Sequence, residues 1–193
     1  MPNFSRGDIG ELNMDIYNIA LLPEKKWSDL ISEYSRTVHS KHPAIYVHGE
    51  SSLPHITLLQ FQTTEPINAI WESIESLKRA LEVRLGGLSF SRFLDLDCLW
   101  LKVHKSKNLG ELQNQAIACL RKFQLKFINQ VGDDFEPHCT IAAWNRRHYS
   151  PEVPLQDQFM SPFYVNCTLS LGLSGANFQY AKSLFGPSPA KIL

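Results

Sequence analysis

The sequence contains one five-residue pattern twice, as PHITL at residues 54–58 and as PHCTI at residues 137–141. Each copy reads proline, histidine, apolar, threonine, apolar, and no other stretch of the chain matches it. Residues two apart on a β-strand point to the same face, so each histidine shares a face with its threonine. The pattern predicts two strands that pack on one side and offer an imidazole and a hydroxyl on the other.

The order of elements around the two copies also repeats. A strand, a helix and a His-bearing strand are predicted in each half, and matching landmarks lie 83 residues apart: Ile16 and Leu99, Pro23 and Ser106, His55 and His138. No linker between independent domains interrupts the chain. We therefore expect one domain over residues 1–193, built of two similar lobes that face each other across a cleft.

Hydrophobic periodicity assigns the individual elements. Alternation and turn residues predict strands at 14–22, 44–47, 54–62, 88–94, 98–103 and 138–144, and a closing hairpin of 163–173 with 178–185. Helical spacing predicts helices from Pro23 to before Pro43, from Ile67 to Leu81 with an end at Gly86-Gly87, and from Leu109 to Phe127 behind a capping box of Asn108 and Glu111. The polar, proline-rich stretch 146–161 is predicted to be a loop.

The composition limits the possible classes of protein. The 193 residues are 44% hydrophobic, which suffices for one substantial core. Nineteen Lys plus Arg balance 19 Asp plus Glu, so no global positive field attracts long nucleic acid. Apolar runs fall far short of the roughly 20 residues of a membrane helix, and the N-terminus lacks the pattern of a secretory signal. We expect a cytoplasmic monomer with reduced cysteines and no membrane partner.

Two imidazoles and two hydroxyls in one cleft favour phosphodiester cleavage. One imidazole can take a proton from the nucleophile while the other gives a proton to the leaving oxygen. Threonine hydroxyls can donate hydrogen bonds to the nonbridging phosphate oxygens as charge develops there. The pattern thus predicts catalysis without a metal or cofactor, by the residues His55, Thr57, His138 and Thr140.

The other histidines fit this chemistry less well. His104 and His148 also have a hydroxyl two residues further on, but one precedes a helix cap and the other lies in the polar loop. His39 and His42 have metal-ligand spacing without a carboxylate or cysteine nearby, which favours a solvated helix end over a metal site. We therefore predict no metal ligands among them.

Cys139 and the acidic residues before the second motif lie close to His138 in the chain. Cys139 adjoins His138, but adjacent strand residues point to opposite faces, so its thiol is expected to be buried away from the imidazole. Asp133, Asp134 and Glu136 are expected to be solvated turn residues. None of these side chains is predicted to carry chemistry.

The chain resembles the two-histidine phosphoesterase superfamily, in particular its LigT-like and cyclic phosphodiesterase branches. The resemblance spans about residues 14–185 and rests on the paired motifs, their separation, and the segments LEVRLGGL at 81–88 and 98–103. It implies an α+β, bilobal fold in which two facing antiparallel sheets form a central cleft with helices outside. It also implies metal-independent action on 2',3'-cyclic phosphates or 2'-5' linkages.

The resemblance also suggests substrate-binding residues. Many LigT-like members carry an arginine five residues after the second motif histidine, where this chain has Ala143. That phosphate contact is therefore absent, and Arg146 or Arg147 is the candidate to replace it, unless both are simply exposed loop residues. Arg146 is the residue assigned to substrate binding.

Three aromatic residues are further substrate-binding candidates. Phe135 resembles an aromatic that some cyclic phosphodiesterases place at the cleft mouth to stack a base. Strand alternation places Trp144 on the face of His138, where it could also stack. Tyr180 resembles the aromatic of the family's C-terminal strand. Core packing is the alternative for each of them.

The predicted activity is hydrolysis of a 2',3'-cyclic phosphate on a small nucleotide or an RNA end. Two alternatives remain open. The chain could cleave 2'-5' oligonucleotide or cyclic-dinucleotide linkages, or it could be a nucleotide or RNA-end binding module without turnover. The intact histidines and threonines argue against the binding module.

Overall fold

The computed structural model describes residues 15–49, 51–93, 95–145, 153–154 and 156–187. The strands are β1 Ile16–Pro23, β2 Ile56–Gln62, β3 Ala80–Phe93, β4 Leu96–Val103, β5 Lys126–Phe127, β6 His138–Asn145, β7 Phe163–Ser174 and β8 Tyr180–Phe185. The helices are α1 Lys25–Lys41, α2 Ile67–Ile74, α3 Lys107–Leu120 and the short α4 Asp157–Met160. Short 3₁₀ turns lie at Glu75–Leu77 and Gly132–Asp134. The fold is α+β, as the sequence predicts.

All strand pairs are antiparallel, and they join in the order β5-β2-β1-β7-β3-β4-β6, with β8 also paired to β7. Strand β7 has 12 residues and connects the two halves, because β1 lies along one edge while β3 and then β8 lie along the other. Each half contributes a His-bearing strand paired to the strand that begins it: β2 with β1, and β6 with β4. The predicted closing hairpin of β7 and β8 is confirmed.

The two long helices cover the sheet through their apolar faces. Helix α1 buries Ile31, Tyr34 and Val38, which are spaced three to four residues apart. Helix α3 buries Leu109, Leu112, Ala116 and Leu120 in the same way. These side chains belong to the main core together with the apolar residues of β2 and β6. Because the helices pack on one face of the His-bearing strands, the opposite face of these strands is available for the site.

The second helix is shorter than predicted. The apolar spacing predicted a helix as far as Leu81, but α2 ends at Ile74 and residue 80 already begins β3. Within β3, Leu81, Val83 and Leu85 are buried while the residues between them are exposed, which is the period of a strand. The Gly86-Gly87 pair therefore lies inside a strand, where the β3–β4 register shifts, and it does not end a helix.

Two further expectations differ from the structure. Residues 44–47 form no strand, because Ile45 donates a single backbone hydrogen bond to the Ala143 carbonyl at 2.8 Å and this loop pairs with β6 no further. Helix α3 is capped by Ser106, whose hydroxyl accepts from the Leu109 N–H at 3.2 Å, rather than by Asn108 and Glu111. It also ends at Leu120, and Phe127 lies in the short strand β5.

Helices that could span a bilayer are absent from the described part of the chain. The predicted loop 146–161 contains the one-turn helix α4. Arg146 and Arg147 lie outside the described residues, so the structure gives no position for either of them.

Candidate active site

The two His-bearing strands contact each other directly without pairing in the sheet. Strands β2 and β6 are neighbours across the site, and the backbone N–H of His55 donates a hydrogen bond to the Cys139 thiol. The His55 and His138 imidazoles are close enough that a charge on one lowers the pKa of the other. The structure thus brings the two motifs together, and it buries Cys139 behind them, as expected from strand alternation.

Both imidazoles are held by the same kind of hydrogen bond to the backbone. The Nδ1 atom of His55 lies 2.7 Å from the Leu53 carbonyl oxygen, and the Nδ1 atom of His138 lies 2.9 Å from the Glu136 carbonyl oxygen. A carbonyl oxygen only accepts, so Nδ1 carries the proton in each neutral ring. The Nε2 atom of each ring is then left with a free lone pair. Each histidine can take a proton at Nε2 and give it back from the same atom.

Each motif threonine has a dedicated side-chain partner. The Asn18 amide on β1 donates to the Thr57 hydroxyl at 3.2 Å, and Asn18 is fully buried. The Tyr46 phenol lies beside the Thr140 hydroxyl, which lowers the pKa of Tyr46 against the larger opposite effect of burial. Because the Thr57 hydroxyl accepts this hydrogen bond from Asn18, it keeps its own proton available for a ligand. Asn18 and Tyr46 were not predicted, because neither belongs to a motif in the chain.

Burial keeps the histidines of the site neutral. Desolvation, with smaller contributions from the nearby His48 and His138, lowers the pKa of His55 to about 3. Desolvation also lowers the pKa of His138 to about 4. A bound phosphate would oppose this effect, because a negative charge favours the protonated imidazole. The site is therefore arranged to gain a proton together with an anionic ligand.

A third histidine, His48, precedes both motifs in the chain but lies between them in the folded structure. His48 is fully buried, and its ring centre is 6.5 Å from that of His55. Its Nε2 atom hydrogen-bonds the Thr140 carbonyl, and its backbone N–H donates to the Ser35 hydroxyl at 3.2 Å. Burial lowers its pKa to about 4, so the ring is neutral. His48 therefore links the first motif to the second, a role for which its sequence neighbours gave no signal.

Aromatic rings flank the two imidazoles differently. The Trp100 indole stacks on the His138 ring with centres 3.7 Å apart and planes at 11°. The Tyr180 ring centre is 5.3 Å from that of His55, and its hydroxyl bonds Ser170 at 2.7 Å. Tyr180 is fully buried, so it forms a wall beside His55 and offers no open face for stacking. Trp100 was not predicted, although the β4–β6 register places it directly opposite Thr140.

A β-bulge follows each motif threonine at the same place. The β1–β2 register skips Leu58, and the β4–β6 register skips Ile141. An extra residue reverses the alternation of faces beyond it. Ala143 consequently packs beside Trp100 and Tyr46 on the side of the site. The fifth residue after each histidine therefore shares its face; in this chain these are Gln60 and Ala143.

The same bulge overturns the prediction for Trp144. Strand alternation placed it on the face of His138, but it is 3% exposed and belongs to the main core with Cys139 and Ile141. Its indole N–H donates to the His42 carbonyl at 3.1 Å. The predicted stacking role of Trp144 is wrong because the sequence analysis counted faces through a strand without an irregularity.

Phe135 is also not at the cleft mouth. It is 4% exposed and packs in the main core, with the Lys105 ammonium 5.7 Å from its ring centre. Its side chain cannot stack a base from there, so core packing, the alternative for this residue, is correct. Among the residues that the structure describes, no group of three or more His, Cys, Asp or Glu side chains could hold a metal ion.

Comparison with solved structures shows a shared fold. The structure of TT0787 of Thermus thermophilus has a TM-score of 0.58 at 15% identity, with 89% of this chain and 96% of that chain covered. The structure of E. coli LigT complexed with phosphate has a TM-score of 0.55 at 16% identity, with coverage of 92% and 99%. A structure described as a phosphoesterase has a TM-score of 0.55 at 14% identity, with coverage of 93% and 100%.

Sequence comparison assigns the family. No curated protein sequence matches the chain. The sequence model of the 2'-5' RNA ligase superfamily matches residues 23–168, which include both histidine motifs and most of the sheet. With this match, the chain belongs to the 2'-5' RNA ligase superfamily of two-histidine phosphoesterases.

Proposed function

We propose that this protein is a metal-independent phosphodiesterase that opens the 2',3'-cyclic phosphate of a nucleotide or an RNA end. The observation that carries the proposal is the matched orientation of His55 and His138, each with Nδ1 held by a carbonyl two residues earlier. Two imidazoles with free Nε2 atoms in one site supply the base and the acid of a phosphoryl transfer. Family membership supports phosphodiester chemistry of this kind.

In the proposed reaction one imidazole takes a proton from water as the water oxygen attacks phosphorus. The bond from phosphorus to O3' breaks, and the other imidazole gives its proton to O3', which leaves a 2'-phosphate. Thr57 and Thr140 donate hydrogen bonds to the nonbridging oxygens. The buried amide of Asn18 orients the Thr57 hydroxyl, and the Tyr46 phenol lies beside the Thr140 hydroxyl.

The nucleotide part of the proposal draws on the related structures. Solved structures of E. coli LigT include complexes with ATP, NADP+ and 3'-AMP as well as phosphate. The first three of these ligands are small phosphorylated nucleotides. We infer that the cleft of this chain binds a ligand of the same class. The zero net charge of the chain also favours a small nucleotide over long nucleic acid as the ligand.

A second candidate is cleavage or sealing of 2'-5' linkages, which the name of the matching family favours. The test is incubation with 2',3'-cyclic AMP, 3',5'-cyclic GMP and 2'-5' diadenylate, followed by chromatography of the products. Release of adenosine 2'-phosphate from the first substrate alone supports the proposal. Products from 2'-5' diadenylate alone would favour the second candidate, and binding without any product would indicate a binding module.

A further inference from the structure

Phe178 has a backbone conformation that phenylalanine rarely adopts. Its φ is +63°, and among the residues that the structure describes no other non-glycine residue has a positive φ. The left-handed region crowds the Cβ atom of an L-residue, and glycine would occupy it without cost. Such an exception is a signal that the side chain itself is needed at this place.

The turn that carries Phe178 is tightly held. Its N–H donates to the Gly175 carbonyl at 3.0 Å, and the Gly175 N–H donates to the Gln179 carbonyl at 2.8 Å. The Gln60 amide, on the strand of His55, donates to the Phe178 carbonyl and to the Ser174 hydroxyl, both at 2.9 Å. The conformation of Phe178 is thus tied to the His55 strand five residues beyond the histidine.

The Phe178 ring meets Phe93 at the end of β3. The ring centres are 5.8 Å apart with planes at 87°, an edge-to-face contact. Both side chains are only partly buried. Phe93 packs against the cluster that contains Trp100, and Trp100 stacks on His138. The apolar cluster of Leu96, Cys98 and Trp100 therefore connects this pair with one of the two imidazoles.

We propose that Phe93 and Phe178, the aromatic pair, bind the nucleobase of the substrate. The assignment rests on the proposed function and names the part of the site that takes the base. A base offers a flat face to either ring, and stacking on aromatic side chains accepts any base. Purines present the larger ring surface, so we expect them to bind more tightly than pyrimidines. A purely structural role is disfavoured because glycine would form the turn without strain.

The test compares a ligand that has a base with one that has none. Calorimetry measures the Kd of adenosine 3'-phosphate and of inorganic phosphate for the full chain, for Phe178→Gly and for Phe93→Leu. We expect each variant to bind adenosine 3'-phosphate about 10-fold more weakly and phosphate as before. Glycine suits the backbone at this position, so Phe178→Gly keeps the turn, which an unchanged melting temperature would verify.

Phe90 provides a matched control. It is 44% exposed on the same strand as Phe93 but is not in the aromatic pair, so Phe90→Ala should leave both affinities unchanged. Equal Kd values of the full chain and Phe178→Gly for adenosine 3'-phosphate would overturn the base site. So would a full chain that binds this nucleotide no tighter than phosphate. Turnover of 2',3'-cyclic AMP is measured separately, so the proposed reaction can fail while the base site stands, and the reverse.

Discussion

The His55 region and the His138 region have the same local backbone arrangement, but different side chains surround the two imidazoles. Both rings donate from Nδ1 to a carbonyl two residues earlier. His55, however, is 7% exposed and faces the neutral His48 and Tyr180, whereas His138 is more open and lies against Trp100.

This difference bears on which imidazole carries a positive charge more readily. A charged imidazolium is stabilised by the face of an indole, and burial opposes charge most strongly at His55. We therefore propose that His55 is the base and His138 the acid. In this proposal the repeated motif sets the geometry of both imidazoles, and the neighbouring rings set their different roles.

The largest expected effect is loss of either imidazole. His55→Ala and His138→Ala should each lower kcat by at least about 100-fold, because each removes one proton transfer. The double variant should lose little more than either single variant, because the two groups act as a unit. Steady-state kinetics on 2',3'-cyclic AMP measures this, and near-normal turnover in one single variant would remove that histidine from the mechanism.

The next effect concerns the hydroxyls. Thr57→Val and Thr140→Val keep the β-branched shape and remove the donor, so kcat should fall by about 10- to 1,000-fold. The pH of the rate maximum should stay where it is, because no titrating group changes. Unaltered rates in both variants would mean that other donors hold the phosphate.

His48 offers a smaller effect that tests its link between the motifs. His48→Leu removes the hydrogen bond to the Thr140 carbonyl and should lower kcat by about 10-fold, since a misplaced catalytic group is costly. His48→Gln retains an N–H donor and should recover part of the rate. Equal rates of His48→Leu and the unmodified chain would show that the ring only fills space.

The pH profile sharpens the assignment of base and acid. An unperturbed pair would place the limbs of kcat/KM on both sides of about 6.5, but burial lowers the pKa values of His55 and His138 to about 3 and about 4. We therefore expect a maximum on the acid side of 6.5 and a fall as pH rises, because the acid loses its proton.

Trp100→Leu should move the alkaline limb of that profile to lower pH by about half a unit to one unit, because the imidazolium loses its stacking partner. The rates are measured over a range of buffers for both chains. A shift of the acid limb instead would reverse the roles of His55 and His138. Tyr180→Leu, which changes the neighbour of His55, is the matched comparison.

The smallest expected effect is that of chelation. The two imidazoles supply both proton transfers, so EDTA should leave the rate unchanged. If chelation abolished the activity and a divalent ion restored it, the reaction would be metal-assisted. The two histidine regions would then not act as an acid–base pair.

Local patterns were sufficient for several features. The motif pair predicted two equivalent strands, and the apolar spacing predicted α1 and the β7–β8 hairpin, because these depend on neighbours in the chain. The second helix was extended too far because Ile74, Leu77 and Leu81 continue the three-to-four-residue spacing of a helix, although Leu81 also begins the alternation of β3. Only the neighbouring strands β4 and β7 decided between them.

The sequence by itself determined that each motif histidine shares a strand face with its threonine, since strand periodicity and the repeated motif require no knowledge of distant residues. Tertiary structure decided what surrounds them. The bulges turned Trp144 away and brought Ala143 to the site, a consequence of pairing that no single strand reveals. Trp100 and His48 joined the site through contacts 38 and 92 residues away along the chain, with His138 and Thr140, because packing and not sequence proximity selects neighbours in a folded core.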